Sequence, residues 1–339
     1  MPQPRLAAKE KQGNVMRRRP SLAAAALLLL VVMPGPGVAQ ASFPDRPLRI
    51  LGGFAPGGTS DLVSRLLADA VSPLLGQRVV VENRTGASGM IAAETMVRGA
   101  ADGYTIFQCA SLVTVLPELP GARLTLDPFN DMVPIANAAH SSQAMVVKAD
   151  APWGDVAAFL AEARARPGAL TYASSGIGSL SHLSGARLAG LAKVQLLHVP
   201  YRGAALGILD VIGGRTSAMI TNLGDVVRQV QGGELRLLGF ADALGSPLFP
   251  DAALINATVP GYEISGWFGF CGPRGTPAEA LTRWQDAIGQ ALRDPAVQKR
   301  LLDNGLTPRF EDAAAFGHTM QADRLVWRET IRAGNIRAE

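Results

Sequence analysis

Short apolar runs alternate with stretches of helical periodicity from residue 48 to 240, and this alternation restricts the fold more than any other feature. Residues 47–54 read as a strand, with Leu48, Ile50, Leu51 and Phe54 apolar. In 59–75, Val63, Leu66, Leu67, Ala70, Val71 and Leu74 recur at helical spacing, Thr59 or Ser60 can cap, and Gly76 stops the helix. The pattern continues with strands at 78–82 and 104–109 around a helix at 91–98. Further strands are expected at 143–148, 170–173, 195–199, 216–221 and 235–240, with helices at 155–166, 181–191 and 204–212 between them. A last strand at 265–271 precedes a C-terminal part read as entirely helical, at 277–292, 295–302 and 313–332. Such βαβ alternation yields an α/β protein, its parallel sheets covered by helices on both faces. Periodicity by itself leaves two sheets and one closed barrel both open.

The N-terminus stands apart from this pattern. Arg17-Arg18-Arg19 precedes a 13-residue apolar run, then Pro34-Gly35-Pro36-Gly37 and Ala39-Gln40-Ala41. Basic, apolar, small is the order of a cleavable secretory signal, expected here at 1–41, and the run is too short to span a bilayer. The signal carries six of the 32 basic residues and one of the 28 acidic ones, leaving 26 basic and 27 acidic residues in the body. A near-neutral body without a basic run excludes nucleic acid as a partner. Cys109 and Cys271 are the two cysteines. The exported compartment permits a disulfide, but two cysteines in a body of this size do not make a disulfide scaffold. No HExxH, CxxC, GxxxxGK[ST] or GxSxG occurs, so neither metal, cofactor nor enzymatic chemistry is expected.

Two glycine-rich turns remain. The first, Phe54-Ala55-Pro56-Gly57-Gly58-Thr59-Ser60-Asp61, leads from a strand into a helix. So does the second, Ser174-Ser175-Gly176-Ile177-Gly178-Ser179-Leu180-Ser181-His182. Glycine admits a close approach of backbone amides to a ligand, and a helix N-terminus adds unpaired donors and a partial positive charge. Each turn reads as an anion cradle needing no Lys or Arg. His182, in the first helical turn, is read as a hydrogen-bonding residue rather than a base, and His198 as a satisfied imidazole. Asn222 ends a strand at the carboxyl edge where α/β sheets take ligands, and Tyr201 sits in a turn able to close over one.

The succession FAPGGTSD, VVVENRTGASG, ADGYT, LTYASSGIGSLSHL, HVPYRG, ITNL and PGYEISGWFGFCGPRGTP resembles the Bug-type solute-binding proteins of tripartite tricarboxylate transport systems. The resemblance covers nearly the whole body of the chain. It implies a two-lobed periplasmic binding fold of type II-like form, with α/β lobes joined by crossover strands. Lobe 1 would comprise 43–141 plus 265–339, and lobe 2 residues 142–264. With strand 265–271 returning antiparallel to strand 104–109, as the resemblance implies, Cys109 and Cys271 would end strands that point opposite ways and are expected to stay unpaired. It further implies a monomer that captures a small carboxylate and serves membrane permease subunits or a sensor protein. Carried over by position, Phe54, Ala55, Pro56, Gly57, Ser60 and Asp61 would face Ser174, Gly176, Gly178, Ser179 and His182 across a cleft. Three places depart from the family pattern, one of them Arg202, which stands where Lys is common. Residues 109–114 lack its small, glycine-containing form, and Thr221 stands where an Asp is common, removing a negative charge near the distal end of a ligand.

Overall fold

The computed structural model describes residues 43–338. The expected signal at 1–41 lies outside the described residues.

The first part of the chain runs β1 (Leu48–Gly52), α1 (Thr59–Leu75), β2 (Val79–Asn83), α2 (Met90–Val97) and β3 (Thr105–Ala110). Two short helices follow, α3 (Leu112–Val115) and α4 (Pro128–Asp131), and then β4 (Met132–Lys148). Next come α5 (Val156–Ala165), β5 (Thr171–Ser174), α6 (Leu180–Ala192), β6 (Leu197–Pro200), α7 (Ala204–Ile212), β7 (Ala218–Asn222), α8 (Leu223–Gln231), β8 (Leu235–Phe240) and α9 (Ile255–Thr258). The chain ends with β9 (Ser265–Pro273), α10 (Ala278–Ala291), α11 (Pro295–Leu302), β10 (Leu306–Glu311) and α12 (Ala313–Gly334).

The strands form two half-sheets that share β4. In the first, β1 pairs in parallel with β2 and β3, and β9 runs antiparallel between β3 and β4. In the second, β4 runs antiparallel to β7 and β8, while β5 pairs in parallel with β6 and β7. The 17 residues of β4 change partner partway along: Met132 to Ser142 lie against β9, and Gln143 to Lys148 against β7 and β8. β4 is buried over nearly its whole length and is mostly apolar or small, as suits a strand covered on both faces, with Asn137, His140 and Gln143 as buried polar exceptions. This is a two-lobed α/β arrangement whose sheet does not close on itself, and the barrel alternative falls.

Two differences from the sequence reading concern strands. The expected strand at 143–148 is only the C-terminal end of β4. Its first part carries Pro134 and a run of small residues, Ala136, Ala138 and Ala139, which signal strand weakly. The C-terminal part is also not all helical. β10 lies antiparallel on β4, with Pro308 at a register shift where the ladder is interrupted.

The cysteine expectation is corrected. Cys109 and Cys271 form a disulfide, with Cα atoms 6.2 Å apart. β9 does run antiparallel to β3, but neither cysteine sits at an opposing end. Phe107 pairs with Cys271 and Cys109 with Gly269, which makes the cysteines diagonal neighbours on one face of the ladder. That spacing is within reach of the bond.

Helices enclose both half-sheets. Val63, Leu66, Leu67 and Val71 of α1 pack beneath β1 and β2 with Trp284 and Ile288 of α10. Ile208 and Val211 of α7, with Val226 and Val227 of α8, close one face of the other half-sheet. The 22-residue α12 spans both. Phe316 near its start meets Trp267 of β9 edge to face, while Arg187 of α6 donates to Thr330 near its end, at 2.8 Å. Glu118 binds α12 through Arg324 and Arg328. The hydrogen bond from Arg328, joined by Arg324 and opposed by burial, holds its carboxyl down at about 2.

Candidate functional site

Each glycine-rich turn connects a strand to a helix, one in each half-sheet: β1 to α1, and β5 to α6. Turn 54–61 is organised by Asp61. Its Oδ2 accepts from Gly57 N–H at 3.0 Å and from Arg65 Nε at 2.9 Å, and Oδ1 accepts from Asn83 Nδ2 at 3.0 Å. Asn83 also donates to the carbonyl of Phe54 at 2.9 Å. Burial raises the pKa of Asp61, but Arg65, Gly57 N–H and Asn83 together outweigh it and hold the carboxyl below its ordinary value. Asp61 therefore shapes the turn and has no oxygen left over. Ser60 donates through Oγ to Gln108, which anchors itself on Cys109 O. Ala55, Pro56 and Gly57 form the exposed crest, with Gly57 at φ 92°.

Turn 174–182 is organised by hydroxyls and imidazoles. Ser174 Oγ lies 2.7 Å from His198 Nε2 and accepts from Gly176 N–H. Ser179 caps α6 by accepting His182 N–H at 3.2 Å, and His182 Nδ1 accepts Gly178 N–H at 3.1 Å. His182 stacks on His198 with ring centres 4.0 Å apart, and His198 on Tyr172. Burial, and then the neighbouring His182, hold His198 down at about 4, so its ring is neutral at physiological pH.

These bonds alter the picture of the cradle. Gly57, Gly176 and Gly178 spend their N–H groups inside their own turns. What stays open is at the helix starts. The first intrahelical bonds are Leu62 N–H to Gly58 O in α1 and Leu183 N–H to Ser179 O in α6. Among the described residues, the N–H groups of Ser60 and Asp61, and of Leu180 and Ser181, have no protein partner. Two amide donors are thus available at the positive end of each helix dipole.

Tyr201 and Asn222 are committed elsewhere. The Tyr201 hydroxyl donates to Asp210 at 2.6 Å, and burial followed by that bond pushes the phenol up to about 12. Asn222 accepts from Gln143 Nε2 at 2.8 Å and donates to Asp225. Tyr201 still borders the second turn, through Tyr201 N–H to Ser174 O.

The turns touch the opposite half-sheet at different places. Ser88 Oγ donates to Ile177 O at 3.4 Å, and Gly178 lies against Leu116 and Leu119. Thr59 donates through N–H and Oγ1 to Asp225 Oδ1, at 3.2 and 2.6 Å. Thr221 Oγ1 donates to the other oxygen of Asp225 at 2.9 Å, so a carboxylate does stand beside the position where the sequence had lost one. Sequence reasoning missed Asp225, Gln108 and Asn83 as parts of this site. Asn83 sits inside the quoted VVVENRTG segment, but nothing local marks Asp225 beyond its being an acid in the first turn of α8.

Two surface cavities, of about 560 and 330 Å³, are lined by no residue of either turn. The second holds Arg46, Arg49 and Arg84, with Arg46 paired to Asp102 and both Arg49 and Arg84 to Glu82.

Two half-sheets that share a long strand, each presenting a helix N-terminus with open amides, make a two-lobed solute-binding protein. The family model described as tripartite tricarboxylate transporter family receptor matches residues 63–336, and the chain belongs to that family, whose Bug-type members share its fold. The chain is 33% identical over 292 residues to a protein of the tcbD–tcbE intergenic region of Pseudomonas sp. (strain P51), covering 86% of this chain and 87% of the other. Among solved structures, Rpa4515 of R. palustris with adipate has TM-score 0.84 at 30% identity, covering 87% of this chain and 99% of the other. The periplasmic binding protein BugD has TM-score 0.82 at 26% identity, covering 88% and 100%. MatC from Rhodopseudomonas palustris with bound malate has TM-score 0.79 at 26% identity, covering 85% and 100%.

Proposed function

We propose that this protein is an exported receptor that closes on a small carboxylate between its two half-sheets and delivers it to the membrane subunits of a tripartite transporter. The single observation carrying this reading is the matched pair of helix starts, α1 and α6, one on each half-sheet, each with two amide N–H groups unspent. An anion between them would satisfy donors on both sides and favour the closed form, so binding and closure become one event. The similar structures with adipate and malate support a carboxylate as ligand. In this reading lobe 1 comprises 43–141 plus 265–339 and lobe 2 comprises 142–264, which agrees with the change of partner along β4 at Ser142 and Gln143. The 54–61 and 174–182 turns form the walls. Asp61, Ser174, Ser179 and His182 fix their shape while main-chain amides hold the ligand. The protein acts as a monomer in the periplasm.

Thermal-shift screening against linear dicarboxylates of four to six carbons, with the corresponding monoamides as controls, tests this. At a hundred times its Kd a ligand stabilises the protein by about 2.7 kcal/mol. No shift with any acid, or equal shifts with acid and amide, would count against a carboxylate site.

A further inference from the structure

We infer that the corner formed by Leu223, Gly224 and Asp225 is the latch that holds the two lobes shut. It lies at the start of α8, directly after β7, and so belongs to the second half-sheet. It meets two segments of the first half-sheet, the start of α1 and the loop before β10.

Three contacts converge there. The Asp225 carboxylate accepts N–H and Oγ1 of Thr59 on one oxygen, and Thr221 Oγ1 and Asn222 Nδ2 on the other. Four donors, two from α1 and two from its own lobe, thereby converge on one anion. Asp225 also sits at the positive end of the α1 dipole, where a carboxylate is favoured. The chain itself supplies an anion to the first amide of α1, and leaves the next two, of Ser60 and Asp61, to a ligand. Gly224 is the second contact. A Cβ there would come 2.8 Å from both the Asn304 carbonyl oxygen and Thr59 Oγ1. The third is Gly305, at φ 73°, whose Cβ would meet Leu223 at 2.8 Å and the Gly224 amide nitrogen at 3.1 Å.

Gly224 carries the argument furthest. It lies within α8 and not in the left-handed region, so its own helix has no need of glycine. Alanine would suit that helix better. Among its near neighbours, those that forbid a side chain, Thr59 and Asn304, both belong to the opposite lobe. The absence of a Cβ is therefore required by the contact between the lobes and not by α8 itself. Asp225 is correspondingly a positioning residue. Its oxygens are spent on the protein, and it acts on a ligand through the placement of α1.

The latch serves the receptor reading but can be tested without a ligand, so failure of the carboxylate assignment would leave the measurement intact. Spin labels are placed at Arg166→Cys and Arg293→Cys, exposed positions of the two lobes; the native cysteines are tied in their disulfide. Pulsed electron resonance then reads the interlobe distance in the unliganded protein, in the parent and in Asp225→Asn and Gly224→Ala. The parent should hold a population at the distance of this structure. Gly224→Ala should lose it, with a shift of several ångströms outward and no fall in thermal midpoint. Asp225→Asn should deplete it about tenfold, the equivalent of one charge-assisted hydrogen bond. A parent without that population, or a Gly224→Ala protein whose distances match the parent, overturns the latch. Should Asp225→Asn fail to fold, the glycine variant decides alone.

Discussion

Glycines of the two turns play different parts, and single substitutions separate them. Gly57 at φ 92° has nothing within 4 Å of where a Cβ would stand, so alanine there suffers only the left-handed backbone, about 1 kcal/mol. Gly178 at φ 75° carries the same backbone cost, and its Cβ would also lie 2.8 Å from Leu119. Gly178→Ala should therefore destabilise by about 2–3 kcal/mol, clearly more than Gly57→Ala. Urea unfolding of the two variants checks the order; equal costs would show that Leu119 yields freely. His198 gives a pH effect at the same scale. Its folded pKa of about 4 lies below the ordinary value of 6.5, so the folded protein keeps the ring neutral while the unfolded chain takes up a proton. The stability this contributes is complete above pH 6.5 and drains away as pH falls towards 4, by about 1–3 kcal/mol for a half-buried ring. Unfolding curves at pH 7 and 4.5, compared between the parent and His198→Gln, should show a smaller loss in the variant.

Elements were legible where local pattern and burial agree. α1 announced itself through Val63, Leu66, Leu67 and Val71, which do line the core, and through Gly76, which does end it in a left-handed turn. The β-branched run of β2 and the turn before β3 were equally plain. The first half of β4 was not, because Ala136, Ala138 and Ala139 serve close packing against β9 and α10 rather than strand propensity. β10 was hidden by Pro308 and by the helices on either side of it. The same distinction applies to the site. Glycine-rich turns leave a local trace, and both segments are indeed strand-to-helix turns in the structure. Asp225 acts on Thr59 across 166 positions, and Gln108 on Ser60 across 48, which no window of sequence displays. The cysteines failed for a related reason. The direction of β9 was anticipated, but a disulfide depends on register to within one or two residues, and register comes from the assembled sheet.

At the scale of the molecule, the bond between Cys109 and Cys271 closes a ring of chain with a sequence separation of 162. Everything from β5 to β8 lies inside that ring, as do α3 to α9 and the latch corner. The second half-sheet is thus a covalently bounded insertion, gathered at its base by a single staple between β3 and β9. A peptide bond cut anywhere between residues 110 and 270 leaves both fragments on the same molecule. Limited proteolysis should accordingly give a full-length band on a non-reducing gel that resolves into two pieces once thiol is added. Two pieces without thiol would mean the staple is not made. In the periplasm, a nick in a loop such as 244–251 need not cost the protein its second lobe. The cut ends stay tethered, and the halves can close again as one body.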